Sequence, residues 1–289
     1  MSIGVVVMGL SNLNEKAATW DADFYLYEEW AAHADFTPQT EIVNEVERHS
    51  TSFDTTLLHD GRCLRSRRLR STLRTGYNLR AFPFDHQQLT LEFSDDEFPT
   101  PELKYSDDAY NLGLDDAVRT TLSNWKIETE PVFSRQSRAF RWEKNAPSYD
   151  NATVRFEVRR HVTFHLFKFF LPLLVIVALA FSVFWIDPEE LSAAATIGVT
   201  CLLAAIAFQF AEANSLPEIS YLTLADRVYI VCYVAIGMAL LQTVLTNGLA
   251  RRGQKERALR IDRRCRWMFP MAVLGALAGS VIRAFTEYA

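Results

Sequence analysis

Ser192, Thr196, Thr200, Leu203, Ala207 and Phe210 recur at intervals of three or four within an apolar run from Leu191 to Ala211. That spacing places them on one face of a helix. Hydroxyls occupy one end of the face and apolar side chains the other. Hydroxyl oxygens can replace part of an ion's hydration shell, and a constriction of large apolar side chains can dewet. A lipid-facing helix has no use for three hydroxyls in a row. Two readings remain: the wall of a water-filled path, or helix–helix packing through small residues. Immediately before this run, Glu189 and Glu190 follow Asp187-Pro188, with no basic residue near them in sequence. Carboxylates at the mouth of such a path favour cations.

These residues need a membrane scaffold. Phe169 to Ile186, Leu191 to Ala211, Val228 to Ala250 and Trp267 to Ile282 each lack an ionised residue. Each is near the roughly 20 residues that cross about 30 Å of hydrocarbon. The expected spans are 163–186, 190–213, 226–250 and 266–286. Pro172 is acceptable inside a membrane helix, where neighbouring groups re-satisfy the backbone. Arg251, Arg252, Lys255, Arg257, Arg260, Arg263, Arg264 and Arg266 crowd the connection between the last two runs. The positive-inside rule makes 251–266 a short basic cytoplasmic loop, continued as a helix at the membrane surface. The N-terminal region and the C terminus then lie outside, in the periplasm if the membrane is a bacterial inner membrane.

Residues 1–160 are polar and acid-rich, with short alternating runs such as Ala22 to Tyr27, Leu89 to Phe93 and Val154 to Val158. This is the pattern of a β-sandwich. The expected architecture is an extracellular β-sandwich over 1–160 followed by a four-helix transmembrane bundle over 161–289. Ile3 to Leu10 reads as a first strand, because it lacks the basic flank and cleavage site of a secretory leader; a natural leader is expected upstream. A net charge of -5 excludes a nucleic-acid partner. Cys63, Cys201, Cys232 and Cys265 are too scattered for a metal site or a disulfide framework. No nucleophile–base or metal constellation points to an enzyme.

Phe82-Pro83-Phe84-Asp85-His86-Gln87-Gln88-Leu89 sits on a strand-like stretch before the first span. Proline fixes φ, Phe84 can enter an apolar cleft, and Asp85 supplies a charge. Alone, the sequence is an ordinary turn. Ahead of four spans it resembles the pentameric ligand-gated ion channels, the Cys-loop receptors and their bacterial relatives. Tyr25 to Trp30 resembles that family's second strand, Phe36-Thr37-Pro38 with Asn44 its aromatic-x-Pro pattern, and Trp125-Lys126-Ile127 its ninth strand. Leu216-Pro217 and Tyr221 resemble the loop between the second and third membrane helices. Thr75 and Leu89 stand where animal receptors have the bracketing cysteines, as in prokaryotic members.

The resemblance implies a homopentamer in a lipid bilayer that conducts monovalent cations; an anion channel of the same fold and a non-conducting receptor are the alternatives. Counting back from Leu216-Pro217 places the Ser192 to Phe210 stripe on the pore, with constrictions at Leu203, Ala207 and Phe210. Glu189 and Glu190 become selectivity residues. The Phe82 to Asp85 turn and Pro217 couple binding to gating, with Arg160 as the implied partner of Asp85 or else a snorkelling interfacial arginine. The implied agonist site draws on Tyr25, Phe98, Phe140 and Trp142, with Asp95 and Asp96 beside them. Aromatic faces and carboxylates suit a cationic small molecule, Ca²⁺ or a proton as modulator. No other cofactor is expected. The series Arg62, Arg65, Arg67, Arg68, Arg70 and Arg74 reads as a solvated face or intersubunit ion pairs, or else as an anionic ligand site.

Overall fold

The structure, a computed structural model, describes residues 1–289 except 33–35, 58–60, 101, 110, 123, 140–146, 215 and 287–289. It has two compact units. One comprises Met1–Asn78 and His86–His161; the other comprises Leu79–Asp85 and Val162–Ala289.

The first unit is a β-sandwich. Its strands are β1 (Ser2–Asn14), β2 (Thr19–Ala31), β3 (Thr40–Ile42), β4 (Glu45–Leu57), β5 (Arg62–Arg74), β6 (His86–Asp95), β7 (Leu112–Leu114), β8 (Trp125–Ile127), β9 (Val132–Ala139) and β10 (Ser148–Arg160), with one helical turn, α1 (Val118–Thr121). One sheet runs β4-β5-β2-β1-β7; the other runs β3-β6-β10-β8, with β9 also paired to β10. Period-two alternation makes the core. Trp20, Ala22, Phe24 and Leu26 of β2 are buried, and they meet Leu89, Leu91 and Phe93 of β6 and Val154, Phe156 and Val158 of β10. Trp20 and Phe156 pack edge to face with centroids 5.9 Å apart.

At one end of the sandwich this inward face becomes ionic. Glu28, next on the buried side of β2, has no exposed surface. It lies opposite Arg65 in register. Arg65 donates through Nε at 2.7 Å, and Arg67 Nε stands 3.0 Å away. The spare guanidinium protons go to the carbonyls of Pro38 and Thr40. Burial pulls Arg67 below its ordinary pKa, with Glu28 opposing. On the outer face Asp23 accepts from Arg68 at 2.9 Å and Arg70 at 2.8 Å, and Glu29 pairs with Arg62. Five of the six arginines in the series therefore face carboxylates of the adjacent strand. The β2–β5 register accounts for them within one chain, with no need of a second subunit or a ligand.

The second unit is helical. α2 (Val162–His165), a π-helical turn (Leu166–Phe170), α3 (Leu171–Phe181) and a 3-10 turn (Ser182–Trp185) form one span; α4 (Leu191–Ala213), α5 (Leu224–Arg251) and α6 (Lys255–Thr286) follow. The π turn directly precedes Pro172. A proline in a helix has no N–H and clashes with the carbonyl four residues back, and a wider turn relieves both. Among the described residues, four spans of 24, 23, 28 and 30 residues are long and apolar enough to cross a bilayer. The chain is a multi-pass membrane protein. The basic segment is helical, as expected, but the helix begins earlier than the expected span. Only a short turn through Gly253, at φ +80, separates α5 from α6, and helix resumes at Lys255 instead of 266. Arginine and lysine are good helix formers, so the polar stretch extends the fourth span.

Glu28→Ala is expected to destabilise the sandwich by about 3–5 kcal/mol, because it leaves two half-buried guanidinium groups without their carboxylate. Urea unfolding of the detergent-solubilised chain, followed by tryptophan fluorescence, measures this. An unchanged midpoint would show that the cluster contributes no stability.

Candidate functional site

The rotation of α4 is set by small residues. Ala194, Gly198, Cys201, Ala205 and Glu212 form its buried face. At Gly198 the approach of α5 is so close that a Cβ would stand 2.6 Å from Leu240 Cγ. Tyr233 of α5 fastens the other end of this contact, donating to Gln209 Oε1 at 2.7 Å. With that face packed, Ser192, Thr196, Thr200, Leu203, Ala207 and Phe210 are all exposed. Leu203 is 62% exposed and Phe210 68%, far more than packing within the chain would leave. The Thr196 hydroxyl donates to the Ser192 carbonyl at 2.8 Å, so its oxygen lone pairs remain available outward. Large apolar side chains exposed elsewhere in the spans include Leu174, Leu245 and Met271. The hydroxylated stripe is thus a free face of this chain, and packing within the chain does not explain it.

The segment leading into α4 is a compact turn. Asp187 Oδ1 accepts from the Glu189 N–H at 3.0 Å, and the Glu190 N–H reaches the Asp187 carbonyl at 2.8 Å. Asn247 of α5, buried, donates to the Pro188 carbonyl at 2.7 Å. The carboxylates are not without a cation, as sequence proximity had indicated. Lys255, at the start of α6, places Nζ 2.9 Å from Asp187 and 3.0 Å from Glu189. The backbone N–H of Glu189 and then Lys255 hold the Asp187 carboxyl below its usual pKa. Glu190 is exposed, and it precedes the first residue of α4. The two glutamates, equivalent in sequence, are therefore different electrostatically.

Leu79–Asp85 connects β5 to β6 but belongs to the helical unit. Phe82 is buried and meets the His165 ring edge on at 4.9 Å, while Phe84 packs on the helical core. The Phe82–Pro83 peptide is cis. The loop's backbone is shared with the start of α5. Thr223 and Asp226 form a reciprocal capping box there, and the first free N–H of that helix, on Leu224, donates to the Arg80 carbonyl at 2.8 Å. The Leu79 N–H donates to the Tyr221 hydroxyl at 3.1 Å, and Arg80 lies over the Tyr221 ring at 4.8 Å. A helix N-terminus leaves unpaired donors; here the loop supplies an acceptor. Tyr221 and Arg80 were not singled out as a pair, and no local signal joins positions so distant in sequence. Asp85 is buried. Arg160 in the β unit pairs with Glu15 at 2.8 Å and lies over Trp125 at 4.2 Å.

The residues expected at an agonist site are distributed differently. Asp95 is buried, and its oxygens accept from the backbone N–H groups of Gln39, Glu97 and Phe98 at 2.6, 3.1 and 3.1 Å. It anchors its loop inward and is not presented to a ligand. Phe98 packs against Phe36 at 4.9 Å on the edge of the core. Tyr25 stacks on Tyr27 with the Arg68 guanidinium over its ring at 5.5 Å. Asp96 is exposed. Phe140 and Trp142 lie outside the described residues.

Comparison with known proteins adds an independent line. Residues 169–260 match the family model of the neurotransmitter-gated ion-channel transmembrane region. That match is to the membrane part of these channels. The chain is also similar to a gamma-aminobutyric acid receptor subunit beta of Caenorhabditis elegans, 30% identical over 192 residues, covering 65% of this chain and 33% of the relative. The human gamma-aminobutyric acid receptor subunit alpha-2 is 24% identical over 194 residues, 67% of this chain and 42% of the relative. A subunit beta from Lymnaea stagnalis is 26% identical over 200 residues, 66% and 37% of the two chains. The chain thus spans well under half the length of these relatives.

Proposed function

We propose that the chain is the subunit of a homopentameric ligand-gated ion channel whose pore is walled by the Ser192 to Phe210 face of α4. The observation that carries this reading is the exposure of that face, hydroxylated at one end and apolar at the other, opposite a tightly packed small-residue face. Five copies of Leu203, Ala207 and Phe210 make a constriction that closes by dewetting. Five sets of Ser192, Thr196 and Thr200 supply oxygens to partly dehydrated ions. The match of residues 169–260 to channel transmembrane regions supports the same reading. The basic start of α6 faces the cytoplasm and the β-sandwich lies outside.

For charge preference, cation selectivity follows from Glu190, exposed beside the first turn of α4. Glu189 is screened by Lys255 and contributes less. Coupling runs through Leu79–Asp85. This loop is strung between two strands of the sandwich while its carbonyl caps α5, so movement of the strands is delivered to the α4–α5 connection around Pro217. The agonist is a small cationic molecule, a proton or Ca²⁺ acting on the β-sandwich.

Reconstituted single-channel recording tests each part. Leu203→Ser should wet the constriction and raise open probability without agonist; unaltered gating would remove Leu203 from the pore. Glu190→Gln should shift the reversal potential in a salt gradient toward lower cation preference, and Glu189→Gln should shift it less. Equal shifts contradict the screening by Lys255, and no shift in either ends the selectivity assignment. Tyr221→Phe leaves the Leu79 N–H without its acceptor, a loss of about 1–3 kcal/mol if the group stays buried. Activation should then need more agonist with conductance unchanged, whereas a normal dose–response curve would contradict the coupling role.

A further inference from the structure

The corner between α5 and α6 delivers a charge to the turn that precedes α4. α5 ends in a Schellman motif: the Gln254 N–H donates to the Leu249 carbonyl at 3.0 Å, and the Gly253 N–H to the Ala250 carbonyl at 2.9 Å. The motif needs a left-handed residue, which Gly253 supplies at φ +80. Helix resumes two residues later, so Lys255 is the first residue of α6. Its Nζ stands 2.9 Å from Asp187 Oδ2 and 3.0 Å from Glu189 Oε2. Asn247, buried in the last turns of α5, donates to the Pro188 carbonyl at 2.7 Å. The Asp187 to Glu190 turn is therefore held through its backbone by an amide and through its side chains by an ammonium. Of the eight basic residues from Arg251 to Arg266, seven are arginine and Lys255 alone is lysine. An ammonium is a compact point charge with three donors, which two carboxylates can share; a guanidinium fork matches one.

Asp187, Glu189 and Glu190 against one ammonium leave two net negative charges per chain at this mouth. The attraction felt by a passing cation follows that net charge. Asp187 and Glu189 are both partly exposed, so they are open to a cation in solution as well as to Lys255. We propose that Lys255 is the specificity-determining residue of this mouth, a tethered cation that competes with permeant cations for Asp187 and Glu189 and holds their flux below what the carboxylates alone would give. The inference rests on the cation-channel reading of the Ser192 to Phe210 face and deepens it. The ammonium sits at one end of the path only, so it acts most on cations entering from that end. Conductance and rectification are thereby set by a corner whose two helices do not wall the pore.

The test is single-channel recording from the reconstituted full chain in symmetric potassium chloride, at about 0.1 M and about 1 M. Lys255→Met should raise conductance at the lower salt by about twofold or more, with the larger gain for cations leaving the cytoplasm. At about 1 M the Debye length falls to about 3 Å, and the gain should shrink. Lys255→Arg keeps the charge and should stay near the wild-type value. Lys255→Met with Glu189→Gln restores the net charge and should return to that value, which a purely structural role for Lys255 does not give. Where Lys255→Met fails to assemble by size-exclusion chromatography, Lys255→Cys in a variant lacking the native cysteines decides. A cationic aminoethyl thiosulfonate applied from the cytoplasmic side should lower its conductance, and an anionic sulfonatoethyl one should raise it. Cation currents of wild-type size and rectification in Lys255→Met, or equal effects of the two reagents, overturn the inference and leave the pore reading standing. A double variant no closer to wild type than Lys255→Met does the same. A wild-type chain that passes anions, or no current, overturns the pore reading and this inference with it.

Discussion

The contact between α4 and α5 at Gly198 is the constraint on which the rest depends. A membrane helix has little hydrophobic reason to prefer one rotation over another, since lipid and side chains are similarly apolar. Close packing decides instead. No side chain fits between Gly198 and Leu240, and Ala194 and Ala205 extend the same small-residue face. Once that face is packed, the hydroxyls of Ser192, Thr196 and Thr200 have only one direction in which to point. The surface through which ions are proposed to pass is thus defined by the surface that cannot be anything but buried.

Backbone chemistry supplies the second constraint. The first turn of α5 must find acceptors for its N–H groups, and one of them is the Arg80 carbonyl. The Leu79–Asp85 loop therefore cannot shift without uncapping a membrane helix or finding it another acceptor. This ties a strand connection to a helix start through hydrogen bonds between groups that every chain possesses, with Tyr221 and Phe82 giving specificity. At the other end of α4, Asn247 and Lys255 hold the Asp187 to Glu190 turn by the same principle.

Much of this was legible in the amino-acid sequence because it depends on local periodicity. The sandwich followed from alternation in β2, β6 and β10, and the spans from the length of their apolar runs. The Ser192 to Phe210 stripe followed from helical spacing. What escaped was set by pairing over long distances. Nothing near Glu189 indicates that Lys255 returns to it, and the arginines of β5 find Glu28 and Asp23 only through a register joining residues some forty positions apart. Asp95 was read as a carboxylate of the agonist site because the backbone partners it accepts from are a property of loop geometry. The bounds of α6 differ from the apolar run because its arginines end that run without ending the helix.

The central claim is that one face of α4 meets water and the other does not. In a variant lacking the native cysteines, single cysteines at Thr196, Thr200 and Leu203 are compared with cysteines at Ala194 and Ala205 for current change on exposure to a charged, water-soluble thiol reagent. The account predicts modification of the first three during channel activity, and none at the two buried positions. Equal modification of both faces, or none on the hydroxylated face of a conducting channel, would contradict it.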